Sequence, residues 1–156
     1  IVSKNGNLLL NVPIRADGTL DATATKILED IGGWLAVNGE GIYETRPWHY
    51  FGDGKVNEIP HFVEESPYTY RDVRYTTKGE NLYAFILNWL PKHKEHVELA
   101  LLAPGNIRIR NIVSVEMLGH EGDLVWEQHP DGLRVTFPEK KPTEFAHCLK
   151  IHFSDQ

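Results

Sequence analysis

The sequence holds a single cysteine, Cys148, so no disulfide can close within the chain. It also lacks long apolar stretches: the longest, Leu82-Tyr83-Ala84-Phe85-Ile86-Leu87, falls far short of the ~18 residues that suggest a membrane span. Positive charge is in deficit, with 16 Lys and Arg against 22 Asp and Glu, a formal net charge of −6 and scattered cations. That distribution argues against nucleic acid as a partner. No Asn-x-Ser/Thr acceptor, internal repeat or low-complexity tract occurs. Ser3, Ser66, Ser114 and Ser154 lack the turn context of a nucleophile, so a Ser-His-Asp triad cannot be assembled.

Histidine is plentiful, at eight residues, but its arrangement does not suggest a metal site. His93 and His96 have helical i, i+3 spacing inside a Lys-rich turn, with no carboxylate or cysteine nearby to complete the three or four ligands a zinc site needs. His147 falls on an apolar face with Phe145, Leu149, Ile151 and Phe153 and reads as a histidine at the edge of the core. Cys148 points the other way, with no neighbour to activate it.

The opening stretch is expected to be a strand, a turn and a helix. Asn7-Leu8-Leu9-Leu10-Asn11-Val12 is short and nearly continuous in apolar residues, as in a parallel strand buried on both faces. After the turn Arg15-Ala16-Asp17-Gly18, a helix is predicted from about Ala22 to Val37. Asp21 is its N-cap, Leu20 a staple residue and Asn38-Gly39 a left-handed stop. Ala24, Ile27, Leu28, Ile31, Trp34 and Leu35 form one wide apolar stripe that needs a cover. A lone parallel strand has no partner, and the chain opens on Ile1, so it is expected to be a piece of a longer polypeptide.

From Gly39 to Pro67 periodicity disappears and a linker is expected, pinned to a surface by Tyr43, Trp48, Tyr50 and Phe51. Short alternating runs separated by turn signals then predict an antiparallel β-sandwich. Its strands are placed at Val73–Thr77, Leu82–Trp89, Val97–Leu102, Ile112–Met117, Leu124–Gln128, Leu133–Phe137 and Ala146–Phe153, with an extra one near Tyr68. The turns at 78–81, 119–123 and 129–132 are expected to join the first and second, fourth and fifth, and fifth and sixth of these. The second strand is apolar on both faces and is expected to be covered twice, on its outer face by the helix or by a preceding domain.

Several strings also resemble one family. Ser3-Lys4-Asn5-Gly6-Asn7-Leu8-Leu9-Leu10-Asn11-Val12, Asp17-Gly18, Trp34-Leu35, Val37-Asn38-Gly39-Glu40, Ile42-Tyr43 and Thr45-Arg46-Pro47-Trp48 are similar to the end of the catalytic domain of glycoside hydrolase family 29, the α-L-fucosidases. Asp72 to Gly79, Leu82-Tyr83-Ala84, Val115 to Gly119 and Pro130 to Leu133 are similar to the C-terminal β-domain of bacterial members. The chain departs from the commoner family form at Pro13-Ile14 and Asp21.

The resemblance implies a mainly β fold: an antiparallel β-sandwich preceded by one strand-helix (βα) unit of a (β/α) barrel. Residues 1–39 would be the last strand and helix of the barrel, 40–67 a linker packed between domains, and 68–156 the C-terminal sandwich. The parent is expected to be a retaining glycosidase acting on fucosylated glycans without metal or organic cofactor, extracytoplasmic or lysosome-like in location. Its nucleophile and acid/base belong upstream of Ile1, so the chain itself is expected to be inactive. Glu64, Glu65, Glu95 and Asp123 are expected to be solvated.

Loops that leave the C-terminal ends of barrel strands build active sites, so Asn11, Arg15 and Asp17 are candidates for bordering the sugar. The alternative is that they only shape the turn or face solvent. Arg46 and Trp48 are expected to pack between barrel and sandwich. Deprived of its neighbours, the βα unit should expose apolar surface and favour self-association. Two other readings are a carbohydrate-binding module, which needs coplanar exposed rings among Trp48, Tyr50, Tyr68, Tyr70, Trp89 and Trp126, and a protein-interaction domain.

Overall fold

Alternation in the second half of the chain folds as expected into two facing antiparallel sheets in the computed structural model, which describes residues 1–54, 68–106 and 110–154. The strands are β1 (Arg46–Asp53), β2 (Val73–Lys78), β3 (Asn81–Ile86), β4 (His96–Leu99), β5 (Ile112–Met117), β6 (Trp126–His129), β7 (Gly132–Thr136) and β8 (His147–Phe153). One sheet has five strands in the order β1-β2-β3-β8-β5 and the other three in the order β4-β7-β6. The core between them joins Val73, Leu82, Ala84, Ile86, Leu149 and Ile151 of the larger sheet to Val97, Leu99, Leu133 and Val135 of the smaller.

β3 is buried along Leu82–Ile86 on both faces. Leu82, Ala84 and Ile86 enter the inter-sheet core, while Tyr83 and Phe85 join Cys148 of β8 in a second cluster on the outer face. The helix α1 (Ala22–Asn38) covers that cluster, with the Trp34 ring 5.9 Å from that of Phe85. The fold therefore has three layers: helix, five-stranded sheet, three-stranded sheet. The Asp21 cap is in place, its carboxylate accepting the Ala24 N–H at 2.8 Å.

Five expectations need correction. Residues 7–12 form no strand; Leu9 is 95% exposed, because no neighbouring strand among the described residues offers partners to a parallel strand. Residues 46–53, read as part of the linker, form β1. Its register with β2 jumps between Pro47 and Gly52, which opposes Trp48 to Phe51 to essentially one residue and destroys the alternation. The helix does not stop at a left-handed Gly39, which has φ −61°; it tightens into a 3-10 turn over Gly39–Gly41. The 119–123 turn joins β5 to β6, but these lie in different sheets and do not pair. The segment near Tyr68 forms a turn rather than a strand, and residues 55–67, including Glu64, Glu65 and Ser66, lie outside the described residues.

Candidate functional site

The most elaborated surface is the seam where the end of α1 meets the outer face of the five-stranded sheet. Close approach is possible because position 41 has no side chain: a Cβ on Gly41 would sit 2.7 Å from Phe85 Cζ and 3.1 Å from Cys148 Sγ. The Gly41 carbonyl accepts the buried Thr76 hydroxyl at 2.7 Å. Next to it, the Glu40 carboxylate accepts from the Tyr83 hydroxyl at 2.8 Å and from Lys150 Nζ at 2.7 Å. The Lys150 hydrogen bond holds the Glu40 carboxyl below its ordinary range, whereas burial first, and Glu40 second, push the Tyr83 hydroxyl up. Burial likewise raises the Cys148 thiol, leaving it a packing group with no nucleophilic role.

One helical turn earlier, Trp34 Nε1–H donates to the Ala146 carbonyl at 2.7 Å, tying the helix to the residue that precedes β8. At the other margin, the β5–β6 turn reaches up to the helix. Gly119, with φ +80°, abuts Val37 so closely that a side chain there would collide.

Beyond these contacts the helix runs off the sheet. Ile27, Ile31 and Trp34, together with Phe145 from the 138–146 segment, line an open apolar groove of about 400 Å³ with Asp30 on its rim. Ile27 is 51% exposed and Phe145 58%. The apolar stripe read from the sequence is therefore covered at its C-terminal end and open along its first half. The roles of Glu40, Gly41, Lys150 and Phe145 at this surface escaped the sequence reading. The available signal was the doubly apolar second strand, which demands a close-packed cover but does not say which residues supply it.

The structure places Asn11, Arg15 and Asp17 on one exposed stretch, apart from the groove beside α1. Asp17 accepts from Thr19 N at 3.0 Å and from the Thr19 hydroxyl at 2.7 Å, which lowers its carboxyl, and Arg15 N–H donates to the Thr19 carbonyl at 2.8 Å. Asn11 and the Arg15 side chain face solvent. Arg46 is exposed and donates to the Thr45 carbonyl at 3.1 Å. Trp48 is half-buried against the core side of β2, its ring 5.1 Å from Tyr75.

The aromatic residues pack on one another at steep angles: Trp48 to Tyr50 at 68° and Trp89 to Phe137 at 55°. None of these ring contacts is coplanar. His93 is exposed, His96 half-buried, and among the described residues no group of three or more His, Cys, Asp or Glu could hold a metal ion. Glu95 and Asp123 are exposed. No helix among the described residues is long and apolar enough to cross a membrane.

Residues 66–152 match the family model for the alpha-L-fucosidase C-terminal domain and residues 1–40 that for alpha-L-fucosidase. The mouse tissue alpha-L-fucosidase is 34% identical over 155 residues, covering 96% of this chain and 30% of the relative. The chain thus spans about a third of the length of the curated relatives it matches. Among solved structures, an alpha-fucosidase from Thermotoga maritima superposes with a TM-score of 0.73 at 24% identity, over 97% of this chain and 31% of that one. Alpha-L-fucosidase isoenzyme 1 from Paenibacillus thiaminolyticus does so with 0.69 at 26% identity, over 99% and 32%.

Proposed function

The chain belongs to the alpha-L-fucosidase family, and on that premise we propose that it is the C-terminal part of a retaining α-L-fucosidase, a hydrolase that removes terminal α-L-fucose from glycans. In this reading residues 1–39 complete the catalytic (β/α) barrel, residues 40–67 cross between the domains, and the sandwich of 68–156, with β1 added to its edge, braces the barrel. Retaining hydrolysis needs two carboxyl groups about 5–5.5 Å apart, one as nucleophile and one as acid/base, and calls for no metal or organic cofactor. Both carboxyl groups are assigned to residues upstream of Ile1. Asn11, Arg15 and Asp17 border the sugar site, on a loop whose shape the Asp17–Thr19 hydrogen bonds preset. Arg46 and Trp48 stand at the crossing between the domains.

The observation that carries this reading is the half-covered helix. A stripe that begins on the sheet at Trp34 and continues uncovered through Ile31 and Ile27 is what a barrel helix presents when one flank meets a sandwich and the remainder meets neighbouring barrel elements. The test is release of aryl alcohol from an aryl α-L-fucoside. The 156-residue chain should show no turnover, and the polypeptide extended upstream through the barrel should show it. Turnover by the chain alone overturns the reading. The exposed Leu8, Leu9, Ile14 and Ile27 also favour self-association of the isolated chain. Light scattering coupled to gel filtration should show a mass above that of the monomer, and a strict monomer refutes that part.

A further inference from the structure

His147 opens β8 and is 1% exposed. Its ring stands edge-on to Trp89 at 4.6 Å and lies 6.5 Å from Phe137, and its Nδ1 has no hydrogen-bond partner among the described residues. Across the sheet it is paired with Ile86. Of the elements packed against it, Ile86, Trp89 and Phe137 carry no charge, and the charged group acting on the ring is Lys141 of the 138–146 segment. A proton on this ring would therefore be buried among apolar groups and repelled by a cation, with no carboxylate in an ion pair to receive it among the described residues.

The position of the ring gives this chemistry a mechanical consequence. The residue immediately before it, Ala146, supplies the carbonyl that holds Trp34 Nε1–H, and the residue before that, Phe145, forms a wall of the groove shared with Trp34. Displacing the start of β8 displaces the anchor of the helix. His147 is the end pair of the β3–β8 ladder, β3 holds β8 from there onward, and β5 holds it from Leu149 as well, so the disturbance is limited to that terminal pair and what precedes it.

We propose that His147 makes the seam between α1 and the sandwich acid-labile: protonation of its buried ring loosens the 138–146 segment, releases Trp34 from Ala146, and lets the helix leave the sheet while the two sheets stay folded.

Burial first, and Lys141 second, hold the His147 ring down to about pKa 4, against about 6.5 for a solvated histidine. The docked state therefore resists a proton that the released state accepts. Above about pH 6.5 both states are neutral and docking is unaffected. As pH falls from about 6.5 to about 4, the ratio of released to docked helix rises about tenfold per pH unit, and below that window both states are protonated and the ratio levels off.

The experiment is an NMR titration of the unmodified chain from pH 7.5 to 4.5. It follows the His147 ring nitrogens, the Trp34 indole N–H and the Ala84 amide of β3, alongside His147→Phe. The expected result is that Trp34 indole protection collapses with falling pH while Ala84 stays protected, and that His147→Phe keeps Trp34 protected throughout. Three results overturn the proposal: a His147 ring that titrates near 6.5 with Trp34 still protected, joint loss of Trp34 and Ala84, or identical loss of Trp34 protection in the variant. Should His147→Phe fail to fold, the ring titration of the unmodified chain still decides.

Discussion

On the outer face of the three-stranded sheet, Glu98, Arg134 and Glu127 stand in register across β4, β7 and β6, with Arg134 Nε 2.9 Å from Glu98 and Nη1 3.9 Å from Glu127. On the outer face of the five-stranded sheet the corresponding row is Arg74, Phe85 and Cys148, and next to it run Thr76, Tyr83 and Lys150. One face ends in a charged ladder that water satisfies. The other ends in rings, a thiol and polar groups whose partners come from the helix and its 3-10 turn. Backbone geometry is the same in both, so the difference lies in which side chains the outward positions carry. It marks the five-stranded sheet as the side that receives another structural layer and the three-stranded sheet as the side whose outer face, among the described residues, is left to solvent.

If that contrast is right, substitutions on the two faces should differ in cost by several-fold. Phe85→Ala, which empties the centre of the seam, should destabilise the chain by about 3 kcal/mol or more, measured by urea unfolding. A loss below about 1 kcal/mol would mean that α1 rests on the sheet without adding to it.

Trp34→Phe keeps most of the ring but removes the 2.7 Å donor to the Ala146 carbonyl, leaving it only the Thr143 hydroxyl at 3.5 Å, and should cost about 1 kcal/mol. Hydrogen exchange should show the effect concentrated in α1. Glu98→Ala, on the opposite face, should change stability by about 0.5 kcal/mol or less, since exposed ion pairs are screened and entropically costly. High salt should erase even that. A larger loss from Glu98→Ala than from Trp34→Phe would reverse the assignment of the two faces.

The same contrast was partly legible before any coordinates. Leu82 to Ile86 announced a strand with no solvated side, whereas 97–102 and 133–137 were read only as short strands. The Asp21 cap and all seven sandwich strands read from alternation are present.

What escaped the reading depended on partners distant in sequence. β1 carries its bulge at Trp48 to Phe51, so its two-residue rhythm fails where it would have been recognised. The 119–123 turn signals a reversal but not that the chain changes sheets while making it. Gly39 has the composition of a left-handed stop, yet the chain continues into a tighter turn that delivers Glu40 and Gly41 to Tyr83, Lys150 and Thr76. Of the candidate site, the stripe on α1 was visible and its sheet-side contacts were not. Arg15 and Asp17 were read on a turn and lie on one, whereas Asn11, read at the end of a strand, lies outside any strand.

The connection between α1 and β1, residues 39–45, is short. Because the helix and the sheet it lies on are joined through so brief a tether, their meeting is a unimolecular event with an effective concentration on the order of millimolar or higher. A seam whose intrinsic affinity would be too weak to assemble two separate molecules at cellular concentrations can thus remain closed nearly all the time. It can also open and reclose on the same partner without dissociation, so a small change in its strength alters the fraction of time it is open before it alters what the helix is bound to.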